Sequence, residues 1–467
     1  MINILFPLNK SVMPEYKYWV SFLNSVQKIL YKEDISITYM LFSDNLAEII
    51  KSKIIINGAI HKNHYLSISE IESKFKFSLK ELLYIDYLQT SKYVINKRDR
   101  DWYIPESEFK DDVVCRIKLN EIIDTFNNEK YDFVLVDQGT DFEMTFIHRL
   151  CIDQKIPFVR YLPDFGNRCF FAYYKNHSKI KILDINIGEL DEGQILNQVK
   201  SFTQGKNSNI YQMSDKNLAI YNPYPPRSLL KRIVEKTPQQ LVRFLQLKVK
   251  DYYFRNTEEF TKQNLYSHFD KSKKYIFYGL HLTTESHVAL HSYPYLNQII
   301  TIEQISRALP QNYLLYVKPH PWWSHTISRK DLKKLKNIPF VRILRPSVPI
   351  KEIIKHAGLI TTLNATTGIE ALALGTPVIA LSKVNAFTGF HPNALRCDDL
   401  YDLPGLIVEL LSKKFDYISS DSYFQKLFSI SSDLRFEADR FFSQEDANKK
   451  AKLFSKYIRK IVNSYNA

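Results

Sequence analysis

Two stretches of this sequence place reactive side chains where a strand gives way to a loop. In residues 314–323, LLYVKPHPWW, an apolar run stops at Lys318, Pro319, His320 and Pro321, so a cation and an imidazole stand at a strand end. Lys318 and His320, two apart, share one side of the strand if it continues to them. In residues 361–381, TTLNATTGIEALALGTPVIAL, a short strand ends in Asn364, Thr366, Thr367 and Gly368, and a helix follows with Glu370 expected on its first turn. Hydroxyls and free backbone N–H groups then meet at the positive end of a helix. Such a set suits a departing phosphate, which needs donors and positive charge as negative charge builds on its oxygen. Glu370 could accept hydrogen bonds from vicinal ribose hydroxyls. Each feature also has a plainer role: a capped turn for His320 and Pro321, a helix cap for the threonines, dipole complementation for Glu370.

The elements that must position these residues form two βα series. The chain opens with a strand INILFPL, an amphipathic helix over about residues 15–31 and a strand ISITYMLF. A helical pattern over about 108–129 leads to YDFVLVDQGTD, a buried strand ending at Asp137, then to a helix through His148 and Asp153 and a strand PFVRYL. The first half therefore reads as a parallel sheet with helices on both faces. Pro223, Pro225 and Pro226 in YNPYPPRS break regular structure and mark a linker, with a helical stretch over about 229–253 behind it. The second series runs through KKYIFYGLHL, NYLLYVKPH, FVRIL, AGLITTLN and TPVIAL, strands spaced by helix-length segments as in a doubly wound sheet. From about 434 to 466 the pattern is a long, charged amphipathic helix.

Composition bounds the partners. With 467 residues, 45% hydrophobic and 24% charged, the chain has globular proportions and length for two domains. The 64 Lys and Arg exceed the 50 Asp and Glu by 14, which favours anionic partners such as nucleotides or an anionic membrane face. The basic residues are scattered, as at Lys97 and Arg98 or Lys333 and Lys334, and form no arm for nucleic acid. Cys115, Cys151, Cys169 and Cys397 show no CxxC spacing, so neither a zinc site nor a disulfide framework is expected and a reducing cytosol fits. The N-terminus lacks the pattern of a signal peptide. No apolar run approaches the roughly 20 residues that span a bilayer, so membrane contact would be peripheral. Asp99 and Asp101 form a D-x-D flanked by Lys97, Arg98 and Arg100, whose charges could neutralise it, and no metal is expected.

The order LYVKPHP, then NATTGIEALALGTPV, resembles the C-terminal half of bacterial capsular-polysaccharide synthesis glycosyltransferases, including the β-Kdo transferases and, more distantly, the CMP-sialic acid and polysialic acid transferases. The resemblance implies an α/β chain of the GT-B type, two Rossmann-like domains facing across a cleft. Residues 1–222 would bind the acceptor, 223–260 connect, 261–430 hold the nucleotide sugar, and 431–467 form a helix packing back toward the first domain. It implies that Lys318, His320, Pro321, Asn364, Thr366, Thr367, Gly368 and Glu370 hold the donor nucleotide. The segment YGLHLTTESHVALHSYPYLNQ is similar to the family stretch in which a His and a Glu stand close together, here His281 and Glu285, which would be catalytic. His287 and His291 read as loop histidines.

In the first half, FVLVDQGTDFEMTFIHRLC resembles the family's VDQ strand end, with Gly139, Thr140 and Asp141 where the family has a Gly-Asp step. Asp137 at the interdomain edge would attack the anomeric carbon in a retaining enzyme, or serve as general base on the acceptor hydroxyl in an inverting one. Asp141 and Glu143 are the fallback carboxylates. Asp164 and Arg168, in YLPDFGNR, would contact the acceptor or the carboxylate of an acidic sugar.

The expectation is a cytoplasmic glycosyltransferase of capsule or lipopolysaccharide biosynthesis, peripheral to the inner membrane face. It would move an acidic sugar, Kdo first, from a CMP-activated donor to a lipid-linked or oligosaccharide acceptor, with no cofactor beyond the donor and no nucleic acid. The alternatives are the same fold with CMP-sialic acid, a CDP-polyol or a UDP- or GDP-sugar, and a non-catalytic polysaccharide-binding assembly partner.

Overall fold

Apolar runs from the two halves of the chain form two separate sheets. The computed structural model describes residues 1–8, 17–42, 53–55, 65–83, 112–136, 142–165, 168–176, 179–204, 263–281, 288, 292–320, 327, 329–363, 366–382, 391–432, 434 and 444–466. In the first half these form β1 (Ile2–Leu8), α1 (Lys17–Tyr31), β2 (Ile35–Leu41), β3 (Lys53–Ile55), α2 (Ile68–Phe75), α3 (Asp112–Asn128), β4 (Phe133–Val136), α4 (Phe142–Asp153), β5 (Phe158–Phe165), β6 (Arg168–Asn176), β7 (Lys179–Ile182) and α5 (Glu192–Thr203). The strand order is β3-β2-β1-β4-β5-β6-β7. Alternation along β1 sorts its side chains: Ile4, Phe6 and Leu8 enter one core with α1, while Leu5 enters another with α2, α3 and α4.

The sheet is not parallel throughout, as the sequence pattern had suggested. β1 to β5 pair in parallel, but β5 with β6 and β6 with β7 are antiparallel. The reason lies in chain length, since two residues separate β5 from β6 and two separate β6 from β7. A parallel crossover needs a dozen or more residues; a hairpin needs two.

The second half folds into β8 (Tyr275–Gly279), α6 (Gln298–Arg307), β9 (Leu314–Lys318), α7 (Arg329–Asn337), β10 (Val341–Ile343), α8 (Ile350–His356), β11 (Leu359–Thr362), α9 (Thr366–Ala373), β12 (Val378–Ala380), β13 (Ala394–Arg396), α10 (Leu403–Ser412) and α11 (Tyr417–Ile430), and α12 (Gln444–Asn466) closes the chain. All its strand pairs are parallel, in the order β10-β9-β8-β11-β12-β13. In both sheets the order reverses beside the first strand, at β1/β4 and at β8/β11. That is the doubly wound pattern of a Rossmann-like fold, and the reversal opens a crevice outside the carboxyl ends of the strands where ligands collect. Two such sheets in one chain make the α/β fold of the GT-B type.

Among the described residues, several contacts tie the halves. Phe170 of β6 is buried in one core with Phe202 of α5 and with Phe424 and Phe428 of α11. Cys169 pairs with Ser432 as an antiparallel bridge. Beyond it, α12 lays Ala447, Ala451, Phe454, Ile458 and Ile461 into the core of α1 and β1. The stretch 229–253 and the interdomain linker lie outside the described residues.

Candidate functional site

The carboxyl ends of β8, β9 and β11 bring the second-half residues together. Gly279 at the end of β8 pairs with Lys318 at the end of β9, and Leu280 N–H donates to the Lys318 carbonyl at 2.9 Å. On the other side of β8, Tyr278 pairs with Thr361 of β11. His281, Lys318, His320 and the start of α9 therefore share one sheet edge, at the reversal of strand order.

Burial sets the charge states there. Lys318 is only 5% exposed, and desolvation lowers its ammonium pKa to about 8, so it remains a cation at neutral pH. His320 is half-buried; desolvation, then the Lys318 charge, lowers it to about 4. Its imidazole is neutral at neutral pH. His281 is lowered to about 3 by desolvation, then by His320. Its Nε2 accepts the Leu363 N–H at 3.2 Å, and its backbone is braced by Gln298, which accepts from His281 N–H and donates to its carbonyl, both at 2.8 Å.

The helix after β11 differs from expectation. α9 begins at Thr366, so Thr366 and Thr367 are its first residues and Glu370, the fifth, stands on the second turn. Thr366 and Thr367 offer hydroxyls beside the N–H groups that a helix leaves unpaired. Thr366 is exposed, Thr367 half-buried and Gly368 buried. A first-turn dipole role for Glu370 falls away. Instead Glu370 is 7% exposed, and desolvation raises its carboxyl to about 7 against the opposing pull of Lys351 on α8.

In the first half, Val136 ends the fully buried β4. Asp137, the next residue, lies outside the described residues, as do Asp141, Glu285, Pro321 and Asn364. Glu143, a fallback carboxylate, is buried on α4 with Oε1 3.2 Å from Lys118 Nζ of α3, an ion pair that ties two helices together. Asp164 and Arg168 sit on neighbouring strands where β5 turns into β6, at the same edge as the end of β4. Among the described residues no group of three or more His, Cys, Asp or Glu is placed to hold a metal ion, and no helix is long and apolar enough to cross a membrane.

Gln298, Lys351 and the Leu363 amide escape sequence reasoning. A glutamine after a loop carries no motif, Lys351 is one of many scattered lysines, and a backbone N–H has no letter of its own.

The chain is similar to several solved structures at low identity. The Thermosulfurimonas dismutans KpsC beta Kdo 2,7 transferase is 13% identical, with 72% of this chain and 89% of that chain covered and a TM-score of 0.37. The beta Kdo 2,4 transferase of the same KpsC is 12% identical, with 64% and 79% covered and a TM-score of 0.34. The UDP-GlcNAc 2-epimerase of Methanocaldococcus jannaschii is 14% identical, with 97% and 99% covered and a TM-score of 0.25. No curated protein matches the sequence. Residues 210–389, which contain Lys318, His320 and the β11–α9 turn, match the family described as capsule polysaccharide biosynthesis protein.

Proposed function

We propose that the chain is a glycosyltransferase of capsule polysaccharide biosynthesis that binds the phosphate of a nucleotide-sugar donor at the β8–β9–β11 edge. The observation that carries this reading is the convergence of the Lys318 ammonium, the His320 imidazole and the N-terminus of α9 at one switch point, inside the segment that matches the capsule family. As the bond from the anomeric carbon to the phosphate oxygen breaks, its electron pair goes to that oxygen. A buried cation, a neutral N–H donor and a helix N-terminus all stabilise the charge that develops there. Within the proposal, Asn364, Thr366 and Thr367 face the phosphate and Glu370 the ribose. Asp137 acts on the anomeric carbon or the acceptor hydroxyl, Glu285 is a further catalytic group paired with His281 as the resemblance implies, and Asp141, Asp164 and Arg168 contact acceptor or sugar.

The donor is proposed as a CMP-activated acidic sugar, Kdo before sialic acid. The acceptor is proposed as lipid-linked, with the net positive charge of 14 holding the protein at an anionic membrane face. Calorimetric titration with CMP, UDP and GDP tests the base, and mass spectrometry of products from a donor panel with a lipid-linked acceptor mimic tests the sugar. CMP is expected to bind most tightly; a clear preference for UDP or GDP overturns the CMP assignment. His320→Ala and Lys318→Met are each expected to lower turnover by about 10²–10³, the cost of removing one preorganised donor, with the circular dichroism spectrum unchanged. Near-normal turnover in either removes that residue from the mechanism.

A further inference from the structure

His281 reaches across the crevice that the reversal of strand order opens between β8 and β11. Its ring accepts the N–H of Leu363, the first residue beyond β11, at 3.2 Å. Behind the ring, Gln298 grips the His281 backbone from both sides at 2.8 Å. The same Gln298 oxygen lies 3.2 Å from the Tyr278 hydroxyl, and both Gln298 and Tyr278 are buried. A backbone amide only donates, so the Nε2 that accepts it carries no proton, and the neutral ring keeps its hydrogen on Nδ1. Charging His281 would require breaking this tie.

We propose that His281 is a positioning residue, not a proton carrier: with Gln298 it fastens the end of β11, and hence the first turn of α9, to β8 and β9, so that the helix N-terminus is held against Lys318 and His320. The groups facing it agree with a fixed neutral ring. Lys318 and His320 stand on the neighbouring strand end, and desolvation, then His320, holds the ring's pKa far below the ordinary histidine value. Because Leu363 N–H is committed to His281, it is not among the donors an anion at this edge can draw on. This inference rests on the edge being a phosphate site, and it leaves the proton traffic of the reaction to groups such as Asp137.

Three variants and one spectrum test it. In the ¹⁵N-histidine NMR spectrum of the full chain, the His281 ring is expected as the Nδ1–H tautomer, without titration between pH 5 and 8. Glutamine places an amide oxygen near the position of Nε2 without a titratable ring. His281→Gln should therefore hold affinity for the best-binding nucleotide of the panel, and turnover, within about threefold. His281→Ala and Gln298→Leu should each weaken that affinity about tenfold, roughly the worth of one hydrogen bond. A ring that titrates near its ordinary value, a proton on Nε2, or a glutamine variant as impaired as the alanine variant would overturn the proposal. If no nucleotide binds, the donor reading fails, while the spectrum still decides the state of His281.

Discussion

At the scale of single residues, the candidate site holds charges that folding alone would not choose. Glu370 is the clearest case, since burial raises its carboxyl from an ordinary 4.5 to about 7. The native state therefore binds more protons than the unfolded chain between about pH 4.5 and 7, and stability falls as pH rises through that window. Below about 4.5 the group is protonated in both states and its cost vanishes. Glu370→Gln should leave stability at pH 4.5 nearly unchanged and raise it at pH 8 by on the order of 2–3 kcal/mol, measured by urea denaturation at the two pH values. Equal stability at pH 8 would mean that the carboxylate is compensated in the fold. The same variant should bind nucleotide more weakly, a trade of stability for function. The chemical types at Lys318, His320, Thr366 and Thr367 are legible in the sequence because each stands at a break in an apolar run. The place of Glu370 is not, because the sequence leaves the first helical residue open by two positions.

Elements were legible where one physical signal dominated. β8, β9, β11 and β12 are short apolar runs between helix-length segments, buried on both faces, and their parallel pairing follows. The hairpins β5–β6 and β6–β7 were not, because the decisive quantity, a two-residue gap at each turn, leaves no mark on the apolar pattern. The stop of α9 is written in Leu374, Gly375 and Thr376. Thr376 N–H reaches back to the Ala371 carbonyl at 2.8 Å and Gly375 N–H to the Leu372 carbonyl at 3.2 Å, the bonding of a Schellman C-cap. Gly375 takes φ +84°, and a Cβ there would lie 2.8 Å from the Tyr417 hydroxyl. Gly375→Ala should cost about 1–2 kcal/mol by chemical denaturation, mostly from the left-handed backbone, since the Tyr417 side chain is exposed and can move aside. A neutral effect would show that the turn has another conformation open to it.

At the scale of the whole molecule, the chain's last helix completes its first sheet. After α11 the chain crosses at Ser432, pairs with Cys169, and delivers Phe454 of α12 to within 5.7 Å of the rings of Phe6 and Phe22 and 6.2 Å of Phe171. The apolar stripe of α12 was readable at helical spacing. Its target was not, because periodicity says that a face is buried and never against what; only the family resemblance pointed back to the first half. Phe454 is fully buried, and Phe454→Ala should cost about 3–5 kcal/mol, the range for a large core aromatic. The loss should be local. Native-state hydrogen exchange is expected to show β1, β2 and β4 losing protection while β8, β9 and β11 keep theirs, because the core around Phe454 is built from α1, α12 and the first sheet, whereas the strands of the candidate site pack in two other cores, one of which Phe170 of β6 and Phe202 of α5 enter. An equal loss across both sheets would mean that the Phe170 contact and the Ser432 crossing weld the halves into one cooperative unit. In that case nucleotide bound at the second sheet should raise the melting temperature of the first by the same amount.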